Sequence, residues 1–138
     1  MGIKQISVFL ENTAGRLCEV TKTLANAKVN LRAISIADTA DFGILRLIVD
    51  DNNKAIDALN SAGFTTRQTD VVALEIEDVP GSLAKLMELF KESQVNIEYL
   101  YASLEGKAGK AIVVFKLQDH EKGQKILNDN GLKIAESF

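Results

Sequence analysis

Ile6, Val8 and Leu10 recur at every second residue, the period of a strand that buries one face. Val72, Leu74 and Ile76 do the same further along the chain. After each of these runs the period changes. Leu17, Val20 and Leu24 fall on one stripe of a helix, as do Leu83, Leu86 and Phe90, and both stripes are expected to face a core. Residues 30–38 and 96–104 return to strand character. Residues 42–50 and 108–116 follow after a turn, which Glu105-Gly106-Lys107 marks in the second case. A second helix is expected over 52–62 and again over 120–130. Asp119 suits its N-cap, and Gly63 and Gly131 stand where a helix C-terminus favours positive φ. A last strand, at 64–69 and at 132–137, closes each series.

The two series are one unit read twice. Asn12-Thr13-Ala14-Gly15-Arg16-Leu17 reappears as Asp78-Val79-Pro80-Gly81-Ser82-Leu83, at an offset of 66 residues. The same offset carries Val29-Asn30-Leu31 onto Val95-Asn96-Ile97 and Phe42-Gly43 onto Ala108-Gly109. Leu59 and Gly63 match Leu127 and Gly131 at an offset of 68. A fixed period of this size signals two copies of one structural unit. The fold class is therefore α+β, with two βαββαβ units. Each is expected to form a four-stranded antiparallel sheet with both helices on one face, the ferredoxin-like arrangement. The domains are 1–70 and 71–138. No Gly/Ser or Pro linker separates Thr69 from Val71, so the halves are expected to hold a fixed geometry and to depend on each other for folding.

The strand–Asp/Asn-x-Pro/Ala-Gly-x-Leu–helix pattern, followed by Val-Asn-Leu or Val-Asn-Ile, resembles the ACT domain, and it does so twice over nearly the whole chain. The resemblance implies a stand-alone regulatory module or sensor of amino-acid metabolism that is not an enzyme. Its ligand would be a small molecule, an amino acid, held at an interface between paired ACT units. The first copy departs from the family pattern, with Asn12 where Asp is common and Ala14 where Pro is common. The two loops are therefore not expected to be equivalent.

The loop residues suit two roles. A ligand carboxylate fits free backbone N–H groups at a helix N-terminus, where Gly15 and Gly81 stand and where a missing Cβ allows close approach. A ligand ammonium fits the side-chain oxygens of Asn12 and Asp78, and Asn30 and Asn96 at the start of the next strand would complete a polar ring. The expected ligand-binding set is thus Asn12, Thr13, Ala14, Gly15, Arg16, Leu17, Asn30 and Leu31, with Asp78, Val79, Pro80, Gly81, Ser82, Leu83, Asn96 and Ile97. Alternatively, Asn12 and Asp78 cap their helices, Pro80 sits in a first helical turn, and the glycines only permit a tight turn.

Composition narrows the remaining classes. One cysteine, Cys18, and one histidine, His120, leave no Cys-x-x-Cys pair and little for a His-rich metal centre or a Ser/His/Asp triad, so no catalytic residue, metal or cofactor is assigned. Cys18 aligns with Ala84 and reads as a small packing residue; His120, between Asp119 and Glu121, reads as solvated. A net charge of −3 with interleaved signs gives no footprint for nucleic acid or an anionic membrane. An RNA-recognition module would need paired aromatics on two strands, and Phe9 and Phe115 are not equivalent. An acylphosphatase-like enzyme would need a loop Arg, and Ser82 replaces Arg16 in the second copy. No apolar run approaches ~20 residues and no signal sequence is visible, so a cytoplasmic location is expected.

The face of the sheet away from the helices is unusually apolar. Phe9, Ile44, Ile48, Ile112 and Val114 all fall there, which points to a partner: a second copy in a homodimer, or a target enzyme. The alternative function is a non-catalytic interaction subunit of a metabolic enzyme that binds no ligand itself.

Overall fold

The computed structural model describes residues 2–39, 41–103 and 108–136. In chain order the elements are β1 (Ile3–Glu11), α1 (Arg16–Asn26), β2 (Leu31–Asp38), β3 (Phe42–Val49), α2 (Asn52–Ser61), β4 (Thr65–Glu77), α3 (Ser82–Glu92), β5 (Ile97–Ala102), β6 (Lys110–Leu117) and α4 (His120–Asp129). The expected Glu105-Gly106-Lys107 turn lies outside the described residues. The chain divides into two compact units, Lys4–Thr69 and Asp70–Phe138, the latter together with Met1–Ile3.

In the unit Lys4–Thr69 the strands run antiparallel in the order β2-β3-β1. Ile6 stands opposite Leu47 and Leu47 opposite Ile34; Val8, Leu45 and Ile36 form the next row. This face buries Ile6, Val8, Leu10, Leu45, Leu47 and Val49 against Val20 and Leu24 of α1 and Ala55 and Leu59 of α2, with Phe64 at the margin. Both helices therefore lie on one face. Each large side chain so buried contributes ~1.5–3 kcal/mol before the entropy of ordering it.

The unit Asp70–Phe138 repeats the plan with strand order β4-β6-β5. Val72, Leu74, Val113, Phe115 and Leu117 pack with Leu86 and Phe90 of α3 and Leu127 of α4. Phe90 meets Phe115 edge to face, with ring centroids 5.9 Å apart.

Four expectations change. First, the strand closing the first copy and the strand opening the second are one continuous β4 of 13 residues. Second, residues 132–137 form no strand among the described residues. Only a single bridge, Leu74 to Ile134, and a hydrogen bond from the Ala135 N–H to the Ala73 carbonyl (2.9 Å) tie the segment to β4. The expected four-stranded sheet is therefore three strands and a bridge in this unit. Composition explains the difference: Thr65-Thr66-Arg67-Gln68-Thr69 is rich in β-branched residues, whereas Lys133-Ile134-Ala135-Glu136 has one.

Third, the two-residue insertion precedes β6. Leu10 pairs with Gly43 and Ile76 with Ala111, so the counterpart of Gly43 is Ala111, not Gly109. The offset of 68 already holds at β6.

Fourth, Leu17 and Leu83 are not core residues; they are 40% and 38% exposed. The inward position in the first turn of α1 belongs instead to Arg16, whose guanidinium lies 4.7 Å from the centre of the Phe64 ring. The outer sheet face is also less open than its composition suggests. Val114 is buried in a row with Ala73 and the bulky Tyr101, and Ile48, beside Ala33, is buried too. The exposed apolar groups there are Phe9 (42%) and Phe42 (62%), near the glycine loop.

Candidate functional site

The two glycine loops adopt the same conformation. Gly15 has φ 91° and ψ −16°, and Gly81 has φ 91° and ψ −12°. This is left-handed backbone, which costs a residue with a Cβ ~1–2 kcal/mol. Each glycine is the N-cap of its helix, and no side chain caps either helix. In α1 the Arg16 N–H reaches the Thr13 carbonyl at 3.4 Å and the Glu19 N–H bonds the Gly15 carbonyl at 3.0 Å. Between them, the N–H groups of Leu17 and Cys18 have no acceptor among the described residues. In α3 the Ser82 N–H meets the Val79 carbonyl and the Lys85 N–H the Gly81 carbonyl, leaving Leu83 and Ala84 in the same condition.

The other two helices provide an internal contrast. Asp51 accepts from the Lys54 N–H and Asp119 from the Lys122 N–H, both at 3.1 Å. The fold therefore caps α2 and α4 with aspartates and leaves α1 and α3 uncapped. The capping alternative for Asn12 and Asp78 is not what these residues do. Each donates its backbone N–H across to the neighbouring hairpin, Asn12 to the Asp41 carbonyl (2.8 Å) and Asp78 to the Gly109 carbonyl (3.0 Å). Their side chains are exposed, and the Asn12 amide lies 3.5 Å from the Asp38 carboxylate.

Thr13 and Ala14, and Val79 and Pro80, form the exposed turns before the glycines. Pro80 lies one residue before the N-cap Gly81, outside the helix. A Cβ added to Gly15 or Gly81 would meet nothing within 4 Å, so the space in front of the backbone is open and the glycines serve the turn conformation. The exposed Leu17 and Leu83 flank it.

The charges differ between the loops. Arg16 pairs with Glu19 at 2.5 Å and Glu11 at 3.6 Å and is half-buried, not turned to solvent on the helix surface. Ser82 stands in its place in the second loop, where the cation is Lys110, paired with Glu77.

Asn30, Leu31, Asn96 and Ile97 do not join the glycine loop of their own unit. Each lies at the C-terminal end of a helix of 11 residues, ~16 Å from its N-terminus. Asn30 instead exchanges hydrogen bonds with Asp50: its N–H reaches the Asp50 carboxylate at 3.0 Å, and the Asp50 N–H reaches the Asn30 carbonyl at 3.1 Å. The residues that do arrive at the glycine loops are Asp38, Asp41 and Phe42 in one unit and Gly109 and Lys110 in the other. The signal for them was available in the topology, because an antiparallel β2–β3 hairpin returns its turn to the end of the sheet where β1 finishes.

Among the described residues no group of three or more His, Cys, Asp or Glu side chains could hold a metal ion, and no helix is long and apolar enough to cross a membrane. Cys18 is exposed, not packed.

A family model described as an ACT domain pair matches residues 1–137. The chain belongs to the ACT domain family. A solved structure of protein BT0572 from Bacteroides thetaiotaomicron is 41% identical, with a TM-score of 0.91, covering 98% of this chain and 92% of that one. The ligand-free regulatory subunit of aspartate kinase from Thermus thermophilus is 16% identical, with a TM-score of 0.69 and coverage of 94% and 93%. The corresponding subunit from Thermus flavus is also 16% identical, with a TM-score of 0.61 and coverage of 94% and 92%. At that identity the likeness to this ACT pair is one of fold. No curated protein matches the chain.

The contrast between capped and uncapped helices has a direct consequence for stability. Asp119→Ala should lower the unfolding free energy by ~1 kcal/mol. Asn12→Ala and Asp78→Ala should each change it by less than ~0.5 kcal/mol. Urea unfolding followed by circular dichroism measures all three. A loss at Asp78 equal to that at Asp119 would restore the capping role.

Proposed function

We propose that this ACT domain pair is a non-catalytic regulatory protein that binds a free amino acid at its glycine loops. The observation that carries the reading is the pair of uncapped helix N-termini, with the N–H groups of Leu17 and Cys18 and of Leu83 and Ala84 open in front of a left-handed glycine. A carboxylate there accepts hydrogen bonds and sits at the positive end of the helix dipole. Asp78, and less strongly Asn12, then offers oxygen to the ammonium. The second loop is the better site, because Asp78 is charged and its carboxylate has no partner among the described residues. In the first loop Asn12 is neutral and already faces Asp38. The fold likeness to regulatory subunits of aspartate kinase supports a role in controlling an enzyme of amino-acid metabolism.

Titration calorimetry against the free amino acids tests the ligand. One of them should bind, and at 100 times its dissociation constant it should raise the unfolding free energy by ~2.7 kcal/mol. Asp78→Ala should weaken that binding by about tenfold, the worth of one charge-assisted hydrogen bond, with little loss of stability. Wild-type affinity in Asp78→Ala would remove Asp78 from the site.

Exposed Phe9 and Phe42 favour a second element of the reading, a homodimer formed through this end of the outer sheet face. Light scattering at micromolar concentration should give twice the mass of the chain, and Phe42→Asp should return it to one. If the wild-type chain already runs as a monomer and no amino acid binds, the patch belongs to a target enzyme and the protein is an interaction subunit.

A further inference from the structure

The internal repeat exposes a difference at the opposite end of the units, independent of the glycine loops. In the unit Lys4–Thr69 the corner between the end of α1 and the start of α2 is closed by the protein's own groups. The Asp50 carboxylate accepts from the Asn30 N–H at 3.0 Å, and the Lys54 ammonium lies 3.4 Å from the Lys28 carbonyl. The equivalent corner in the unit Asp70–Phe138 keeps most of this plan. The Gln118 N–H bonds the Asn96 carbonyl at 3.0 Å, as Asp50 bonds Asn30, and the Lys122 ammonium lies 3.5 Å from the Gln94 carbonyl, as Lys54 lies near Lys28. One group is missing. Gln118 stands where Asp50 stands, so the carboxylate that receives the Asn30 N–H has no counterpart.

The consequence is a gap in the hydrogen bonding and a cavity to match. Neither the Asn96 N–H nor the Gln118 side-chain amide has a partner among the described residues. His120, in the place of Asn52, is half-buried rather than fully solvated, and its Nδ1 is buried without a hydrogen-bond partner. A cavity of about 520 Å³ opens at this corner, lined by Asn96, Gln118, His120 and Lys122 among others. The Asp119 carboxylate on its rim is engaged with the Lys122 N–H, so it does not fill the gap. Burial above all holds the His120 imidazole below its usual range; Asp70 opposes the shift and Lys116 adds to it. The imidazole is therefore neutral at pH 7 and can donate or accept through Nδ1.

We infer that this corner is a binding site for a small carboxylate, whose oxygens take the place that the Asp50 side chain fills in the other copy. The Asn96 N–H and the Gln118 amide donate to it, and the Lys122 ammonium supplies the charge. The unoccupied donor is a backbone N–H held in position by the Gln118–Asn96 bond, so the site is formed before the ligand arrives.

Amide-resolved NMR of the full chain tests the assignment, with acetate, succinate and alanine as probes. Acetate or succinate should move the Asn96 amide proton downfield along a saturable curve, while the Asn30 amide, already bonded to Asp50, stays still. Saturation by alanine as well would identify the ligand class as amino acids; its absence would identify simple organic acids. Gln118→Asp installs the carboxylate of the other copy and should weaken the response at least about tenfold, through lost acceptor space and added repulsion. Asp50→Gln should make the Asn30 amide respond for the first time. No saturable shift at Asn96 with any of the three probes would overturn the proposal, as would a response that Gln118→Asp leaves unchanged. Either result leaves the glycine-loop reading intact, because that reading is measured at the amides of Leu83 and Ala84.

Discussion

The loop end of each unit depends on one backbone torsion. With φ at 91°, Gly15 and Gly81 turn the chain from the end of a strand straight into a helix. The residue that would ordinarily cap that helix with a side-chain oxygen has none to offer. The first-turn N–H groups are thereby left facing open space rather than a neighbouring side chain. A serine or aspartate at the same position would satisfy them and close the site, but it would have to adopt a left-handed conformation that costs it ~1–2 kcal/mol. The glycine and the open N–H groups are one arrangement, not two.

The repeat supplies an internal comparison that a single domain would lack. Two helices of similar length in the same chain, α2 and α4, begin with aspartates that cap them in the ordinary way. The chain is able to cap helices and does so at α2 and α4, away from the glycine loops. The two copies also differ in ways that assign separate roles. Arg16 is folded over Phe64 and tied to Glu11 and Glu19, which commits the cation of the first loop to the protein's own groups. The second loop has Ser82 there and keeps the Asp78 carboxylate uncommitted.

Much of the fold was legible in the sequence because period and burial follow the same rule. The alternation of Ile6, Val8 and Leu10 and of Val72, Leu74 and Ile76 gave the buried strand faces, and Gly63 and Gly131 do take positive φ. What was not legible depended on neighbours distant in sequence. Leu17 and Leu83 carry the apolar character of a core stripe, yet they lie outside it, because in α1 the inward place in the first turn is filled by the arm of Arg16 lying on Phe64. Asp70 reads as a break between two strands, but β4 continues through it. At the site, Asn30 and Asn96, which open the next strand of each copy, are expected from the sequence to complete a polar ring. A helix ~16 Å long separates each from the glycine of its own unit, and Asp38, Asp41 and Lys110 arrive there through strand pairing.

The central claim is that the open N–H groups at the uncapped helices receive a ligand carboxylate. The most direct measurement is the backbone amide spectrum of the full chain during titration with each free amino acid. The account predicts that one amino acid shifts the Leu83 and Ala84 amide protons downfield and saturably, with Lys122, already bonded to Asp119, unmoved. If an amino acid binds by calorimetry while the amides of Leu17, Cys18, Leu83 and Ala84 all remain where they were, the ligand sits elsewhere and the account is wrong.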